Sequence, residues 1–245
     1  MAVQIVEVAR RTDQGMTHPF VCRGDDQEWY FVKGLDAGRK SLIAEWIAGN
    51  LALSLDLPIA PFAIVHVPEE LVDAGGPLDL SGLGVGPVFG SRLQAGVMEL
   101  SAVAVQKIPD ALQQDVLVFD WWVRNPDRFL TEQGGNPNLF WEPYTGDLVV
   151  IDHNQAFSNS FSAKDFFDFH IFREQTCSVF GDMLRHAEYA PRLAAALEAW
   201  PRIVDAIPTE WQFADPEQTV PADFDVGAAH RLLARYNDED FWKTP

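Results

Sequence analysis

The 245-residue chain is 47% hydrophobic and contains eight tryptophans and seventeen phenylalanines, a composition that excludes an intrinsically disordered protein. Its 36 acidic and 18 basic residues give a formal net charge of −18, which disfavours nucleic acids and anionic lipids as main partners because their phosphates are repelled. The two cysteines, Cys22 and Cys177, lie far apart, and no apolar stretch has the length of a signal-peptide core or a transmembrane helix. We therefore predict a cytoplasmic protein with no membrane segment.

The first predicted element is a β-hairpin. Residues 3–9 are mostly apolar and β-prone, residues 10–19 have the composition of a turn, and residues 20–22 resume a strand. Gly15 in the turn would let the backbone approach a ligand closely. A plain surface hairpin explains the same pattern equally well, so both interpretations stay open.

A strand ending in a lysine follows the hairpin. The sequence EWYFVKG at residues 28–34 places Lys33 at the end of this strand, and apolar residues recur with helical spacing over residues 39–51. Glu45 lies on the predicted helix and could pair with Lys33. A lysine at a strand end and a glutamate on a helix are more often solvated surface charges. Only the pattern of residues 119–157, described below, makes a functional pair the better interpretation.

The glycines between residues 75 and 90 do not form a nucleotide-binding motif. Gly84-Val85-Gly86 is followed three residues on by Phe89 where the dinucleotide fingerprint has glycine, and no Gly-Lys-Ser/Thr sequence follows. We predict a flexible connection that enters a strand at residues 88–93.

The second half of the chain is predicted to be mainly helical. Asp110 is a candidate N-cap for a helix over residues 111–124. Further helices are predicted to begin at residues 165–169, to extend over residues 193–204 with a break or kink near Pro201, and to close the chain over residues 227–236.

Between these helices lies the most informative stretch, residues 119–157. Asp127 lies in the sequence NPDR, Asn138 precedes one short apolar run, and Asp152 ends a second one. The two runs, at residues 139–141 and 148–151, are predicted to form a hairpin that brings Asn138 and Asp152 to the same end. This order is typical of a phosphotransferase, in which one carboxylate positions the attacking hydroxyl while the amide and the second carboxylate hold Mg²⁺ on the ATP phosphates.

The pattern NPDR…NLF…IDH resembles the catalytic segment of HipA-like kinases and is similar to the corresponding pattern of phosphoinositide kinases. The sequence of residues 45–58, E-x-I-A-x-x-L-A-x-x-L-x-L-P, also resembles the HipA-like family. The resemblance implies that Asp127 is the catalytic aspartate and that Asn138 and Asp152 are Mg²⁺ ligands. It also implies that Lys33 contacts the ATP phosphates and that Glu45 orients it.

The resemblance further implies an α+β, two-lobed, protein-kinase-like fold. Residues 1–108 would form a nucleotide-binding lobe with an antiparallel sheet and one helix, and residues 109–245 a mostly helical catalytic lobe. The turn at Gly15 would cover the nucleotide, and the backbone of residues 91–93 (Ser91, Arg92 and Leu93) would meet the adenine. The expected cofactors are ATP and Mg²⁺, and the expected acceptor is a Ser or Thr of a protein.

The chain departs from the family pattern at two places. Phe129 stands where relatives often have histidine, and the insertion at residues 131–137 leaves Asn136 as a rival of Asn138 for the metal. These departures favour an alternative, a pseudokinase or nucleotide-binding regulatory module without transfer activity. A kinase acting on a lipid or small molecule is a third hypothesis, although the net charge disfavours a lipid.

Overall fold

A computed structural model describes residues 2–12, 18–73, 78–131, 134–215 and 217–244. The protein is a mixed α+β structure that divides into two compact units. The first unit comprises Met1–Trp46, Ala60–Ala95 and Ile207–Phe224. The second unit comprises Ile47–Ile59, Gly96–Ala206 and Asp225–Pro245.

The elements follow one another along the chain as short strands and helices. The strands are β1 (Val3–Arg11), β2 (Phe20–Gly24), β3 (Trp29–Lys33), β4 (Phe62–Val67), β5 (Gly86–Arg92), β6 (Met98–Glu99), β7 (Phe129–Thr131), β8 (Gly134–Asn136), β9 (Leu139–Trp141) and β10 (Leu148–Val150). The α-helices are α1 (Arg39–Ser54), α2 (Glu69–Asp73), α3 (Ala102–Val105), α4 (Asp110–Val123), α5 (Ala163–Phe169), α6 (Thr176–Phe180), α7 (Met183–Leu197), α8 (Trp200–Asp205) and α9 (Val226–Leu233). Short 3₁₀ helices occupy Leu35–Ala37, Arg173–Gln175, Thr209–Gln212, Ala234–Asn237 and Glu239–Trp242.

The first unit is built on a closed barrel with the strand order β1-β2-β3-β5-β4. Its interior is apolar because strand residues alternate between the two faces, and it includes Ile5, Phe20 and Val65, each at most 1% exposed. The prediction of an antiparallel sheet is correct for the other strand pairs of the barrel. It omitted the parallel pairing of β1 with β4, which closes the barrel. The prediction of one helix for residues 1–108 was also wrong, because α2 and α3 lie in this range besides α1.

The second unit is organised around α4, a helix that is buried along most of its length. Its apolar residues include Val116, Phe119 and Trp122, which are fully buried, and the Trp122 Nε1 donates to the carbonyl of Leu233 at 2.7 Å. A small antiparallel sheet of order β10-β9-β6 lies in the same unit. The predicted N-cap was wrong, because Pro109 is the capping residue and Asp110 is already the first helical residue.

The remaining predicted helices are present with shifted boundaries. The helix predicted over residues 193–204 is two helices, α7 and α8, and Pro201 lies in the first turn of α8, where its missing N–H group costs nothing. The final helix α9 ends at Leu233 and continues as a 3₁₀ helix. Among the described residues, no helix combines the length and the hydrophobicity that crossing a membrane requires.

Candidate active site

Lys33 and Glu45 form a buried ion pair in the first unit. Lys33 is the last residue of β3 and Glu45 lies in the first half of α1, and the Lys33 Nζ is 2.6 Å from the Glu45 Oε1. The two residues are 7% and 2% exposed, which excludes the interpretation as solvated surface charges. A short, buried, charge-assisted bond of this kind holds an ammonium group in one place. Lys33 is therefore a fixed positive charge at the end of a barrel strand.

We predict that Glu45→Gln destabilises the fold much more than the same change at an exposed ion pair. The amide keeps an acceptor for Lys33 but removes the charge that balances a buried ammonium group, so we expect a loss of about 1–3 kcal/mol. The matched control is Glu7→Gln, because Glu7 bonds Arg23 on the surface and such pairs contribute about 0–1 kcal/mol. Chemical denaturation of both variants measures the difference, and equal losses would contradict it.

The segment NPDR, residues 125–128, leaves the end of α4 with its backbone held at two points. Arg124 ends the helix in the left-handed conformation (φ 51°), and the Asn125 N–H donates to the carbonyl of Asp120 at 2.8 Å. The Asn125 Oδ1 then accepts the Asp127 N–H at 3.2 Å. These two hydrogen bonds therefore hold the backbone at Asp127 in place.

The Asp127 carboxylate lies beside the two asparagines that compete for the metal assignment. Its Oδ2 accepts the Asn136 Nδ2 at 2.9 Å and the Asn138 Nδ2 at 3.3 Å, and its backbone carbonyl accepts the Asn138 Nδ2 at 2.7 Å. Burial raises the pKa of Asp127, the bond from Asn136 opposes this, and the charge of Asp152 raises it further. Asp127 therefore interacts with both other residues of the predicted site, through a hydrogen bond from Asn138 and through the charge of Asp152.

The β9–β10 hairpin places Asn138 and Asp152 at the same end, as predicted. Val150 pairs with Leu139 in the antiparallel register, and the Ile151 N–H donates to the Asn138 carbonyl at 3.1 Å. Asn138 and Asp152 both adopt the left-handed conformation, with φ of 48° and 56°. Asparagine and aspartate tolerate this conformation better than other non-glycine residues, and such conformations cluster at active sites.

Asn138 and Asp152 offer the kind of ligands that Mg²⁺ prefers. The Nδ2 of Asn138 is engaged by Asp127, so its Oδ1 is the atom of this amide that could bind a cation. Among the described residues no group of three His, Cys, Asp or Glu could hold a metal ion. Asn136 is exposed in β8 and also contacts Asp127, so it remains a rival ligand.

A buried network beneath this site contains Asn125 and Arg128, which were expected to brace this turn, and two residues that the sequence analysis did not assign to it, Asp120 and His170. Asp120, in α4, is fully buried and accepts the Arg128 Nε at 2.6 Å and the His170 Nε2 at 3.0 Å on the same oxygen. Its other oxygen accepts the Asn125 Nδ2 at 2.9 Å. Burial alone would raise the pKa of Asp120, but Arg128 and the His170 hydrogen bond hold it well below its usual range. A charged residue inside the apolar run VLVFDWWV was the available signal of a buried partner.

Arg128 connects that network to the β9–β10 hairpin. Its Nη1 donates to the carbonyls of Asn138 at 2.7 Å, Pro137 at 3.3 Å and Ile151 at 3.3 Å. One guanidinium group therefore fixes the backbone at Asn138 and immediately before Asp152.

The predicted nucleotide contacts of the first unit are placed as follows. Gly15 lies outside the described residues. Ser91 and Arg92 lie in β5, and the backbone N–H groups of Arg92 and Leu93 donate to the carbonyls of Pro61 and Trp29, both at 2.7 Å. An adenine that bonded either N–H group would have to replace one of these bonds.

We predict that the acid limb of kcat/KM lies at a higher pH than an ordinary aspartate would give. If Asp127 is the catalytic aspartate that the family resemblance implies, it has to be ionised to accept a proton; because its pKa is raised, activity would then be lost as the pH falls through that raised pKa. Asn136→Ala removes a hydrogen bond that lowers this pKa and should move the acid limb to still higher pH. The exposed Asn237→Ala is the control, and an unmoved limb in Asn136→Ala would contradict the assignment.

The comparison with protein-family models places the chain in a class of kinase-type phosphotransferases. The HipA-like kinase model matches residues 5–245, so the chain belongs to the HipA-like kinase family. No curated protein matches the chain. Among solved structures, it is similar to the proinflammatory kinase CtkA of Helicobacter pylori, with 9% identity, a TM-score of 0.44, and coverage of 96% of this chain and 94% of that one.

Proposed function

We propose that this kinase transfers the γ-phosphoryl group of ATP, with Mg²⁺, to a Ser or Thr hydroxyl of a protein. The observation that supports it most is the Asp127 carboxylate, held by two asparagine amides and raised in pKa by burial and by Asp152. Kinases need a carboxylate of this kind to accept the proton of the attacking hydroxyl. In this proposal residues 1–108 form the nucleotide-binding part and residues 109–245 the catalytic part.

Each residue has a defined task in the proposed reaction. Asp127 orients the acceptor hydroxyl and takes its proton as the new oxygen–phosphorus bond forms. Asn138 and Asp152 would hold Mg²⁺, which when bound neutralises the charge of the phosphates. Lys33 would hold the α- and β-phosphates, and Glu45 keeps its ammonium group in place.

A protein acceptor is favoured over a lipid or nucleic acid by the charge of the chain. A net charge of −18 repels anionic surfaces and attracts a substrate segment with basic residues around its hydroxyl. A cytoplasmic location is part of the same proposal.

The alternative is a nucleotide-binding module that no longer transfers phosphate. It is favoured by the insertion at residues 131–137, a departure from the family pattern that brings Asn136 to the Asp127 Oδ2. Phe129, which stands where many relatives have histidine, also favours this alternative.

Transfer from γ-labelled ATP separates these hypotheses. The acceptors are a Ser/Thr peptide library with basic flanks, the same library with every Ser and Thr replaced by Ala, and vesicles containing phosphatidylinositol. We expect label only in the first. Label in the vesicles would indicate a lipid kinase, and ATP binding without label in any acceptor would favour the regulatory module.

A further inference from the structure

The Asp120 carboxylate is a buried charge that the proposed transfer does not use. It is fully buried, and its two oxygens accept the Nε of Arg128, the Nε2 of His170 and the Nδ2 of Asn125. A buried carboxylate is costly unless donors surround it, and here the donors come from two parts of the chain, the NPDR segment and His170. Its orientation is therefore set by those donors.

His170 is a hydrogen-bond donor with a fixed tautomer. The Phe172 N–H donates to the His170 Nδ1 at 3.1 Å, so that nitrogen carries no hydrogen and the Nε2 carries it. Burial lowers the pKa of His170 by more than the Asp120 carboxylate raises it, so the ring is neutral near pH 7. The Nε2–H group consequently points at Asp120.

Backbone contacts join His170 to the NPDR segment as well. The Ile171 N–H donates to the Arg128 carbonyl at 3.1 Å, and His170 forms an isolated antiparallel bridge with Phe129. His170 therefore contacts both the carboxylate and the chain that carries Arg128.

We propose that His170 is a positioning residue for phosphoryl transfer. Its Nε2–H group fixes the Asp120 carboxylate, and that carboxylate orients the Arg128 guanidinium. Arg128 in turn holds the carbonyls of Asn138 and Ile151, and so sets the two proposed Mg²⁺ ligands. The inference rests on the proposed function, because it assigns His170 to the same site.

Loss of the histidine donor has a defined physical effect. The Asp120 Oδ2 would lose one of its two donors, and the Arg128 guanidinium would gain freedom to turn away from the hairpin carbonyls. Removing a partner that orients a metal ligand typically costs about 10–100-fold in metal affinity or activity.

The test compares His170→Gln with His170→Asn. The Gln side chain places an amide nitrogen near the position of Nε2 and can donate to Asp120, whereas the shorter Asn side chain cannot reach it. We expect His170→Gln to keep most of the wild-type kcat, and His170→Asn to lose about 10–100-fold in kcat and to need more Mg²⁺ both for half-maximal rate and for ATP binding measured by calorimetry. Leu193→Ala, a buried change in α7, is the control for destabilisation alone and should leave both quantities unchanged.

The outcomes distinguish this inference from the proposed function. If the wild-type protein transfers no phosphoryl group, both the proposed function and the positioning role of His170 are wrong. A wild type that transfers it, together with a His170→Asn variant that matches His170→Gln in kcat and Mg²⁺ requirement, overturns the positioning role alone. A KM for ATP that stays constant while kcat falls would further support it.

Discussion

Asp127→Asn is expected to remove phosphoryl transfer while leaving the fold and ATP binding nearly unchanged. The amide has the size of the carboxylate and still accepts a hydrogen bond from Asn136, so the local structure should persist. It cannot take the proton of the acceptor hydroxyl, and loss of a general base typically lowers the rate about 10²–10⁴-fold. Single-turnover transfer measured beside ATP binding separates the two effects.

The control for this variant is Asp147→Asn. Asp147 is exposed in the turn of the β9–β10 hairpin, so the same change of charge is made in the same unit away from the proposed site. If Asp127→Asn transferred phosphate as fast as Asp147→Asn, Asp127 would not be the catalytic aspartate.

Arg128→Met should cost the most stability of any single change at the site. Arg128 and Asp120 are both fully buried and 2.6 Å apart, and the variant leaves the Asp120 charge without its main counter-ion. Breaking a buried ion pair by removing one partner typically costs about 3–5 kcal/mol. The three backbone carbonyls that Arg128 bonds would also lose this donor, although the Asn138 carbonyl keeps its bond from the Ile151 N–H.

Urea denaturation of single and double variants tests this expectation. Arg23→Met, which breaks the exposed pair with Glu7, should change the free energy of unfolding by no more than about 1 kcal/mol. The double variant Asp120→Leu/Arg128→Met removes both charges and should be more stable than Arg128→Met alone. A double variant less stable than the single one would mean that the ion pair is not the source of the loss.

Local sequence patterns were sufficient for the elements that carry the site. The alternation of apolar runs and turn residues predicted the β9–β10 hairpin, and its register places Asn138 and Asp152 together because antiparallel partners end at the same edge. The strand that ends at Lys33 and the helix that carries Glu45 were also predicted.

Contacts between distant parts of the chain were not predictable from the same patterns. The parallel pairing of Val3 with Val65 closes the barrel, and no short-range periodicity specifies which strand meets which. Asp120 and His170 lie fifty residues apart and meet only because α4 and the segment after α5 pack together. The sequence shows which residues are able to form such a network. Which of them actually meet is decided by the tertiary packing.

The most direct test of the proposed function is calorimetric titration with ATP in the presence and absence of Mg²⁺. The proteins are the wild type, Asp152→Ala and, as a matched control, Asp147→Ala. We expect Mg²⁺-dependent binding in the wild type and in Asp147→Ala, and its loss in Asp152→Ala. No ATP binding by folded wild type, or equal Mg²⁺-dependent binding by all three proteins, would contradict the assigned nucleotide and metal site.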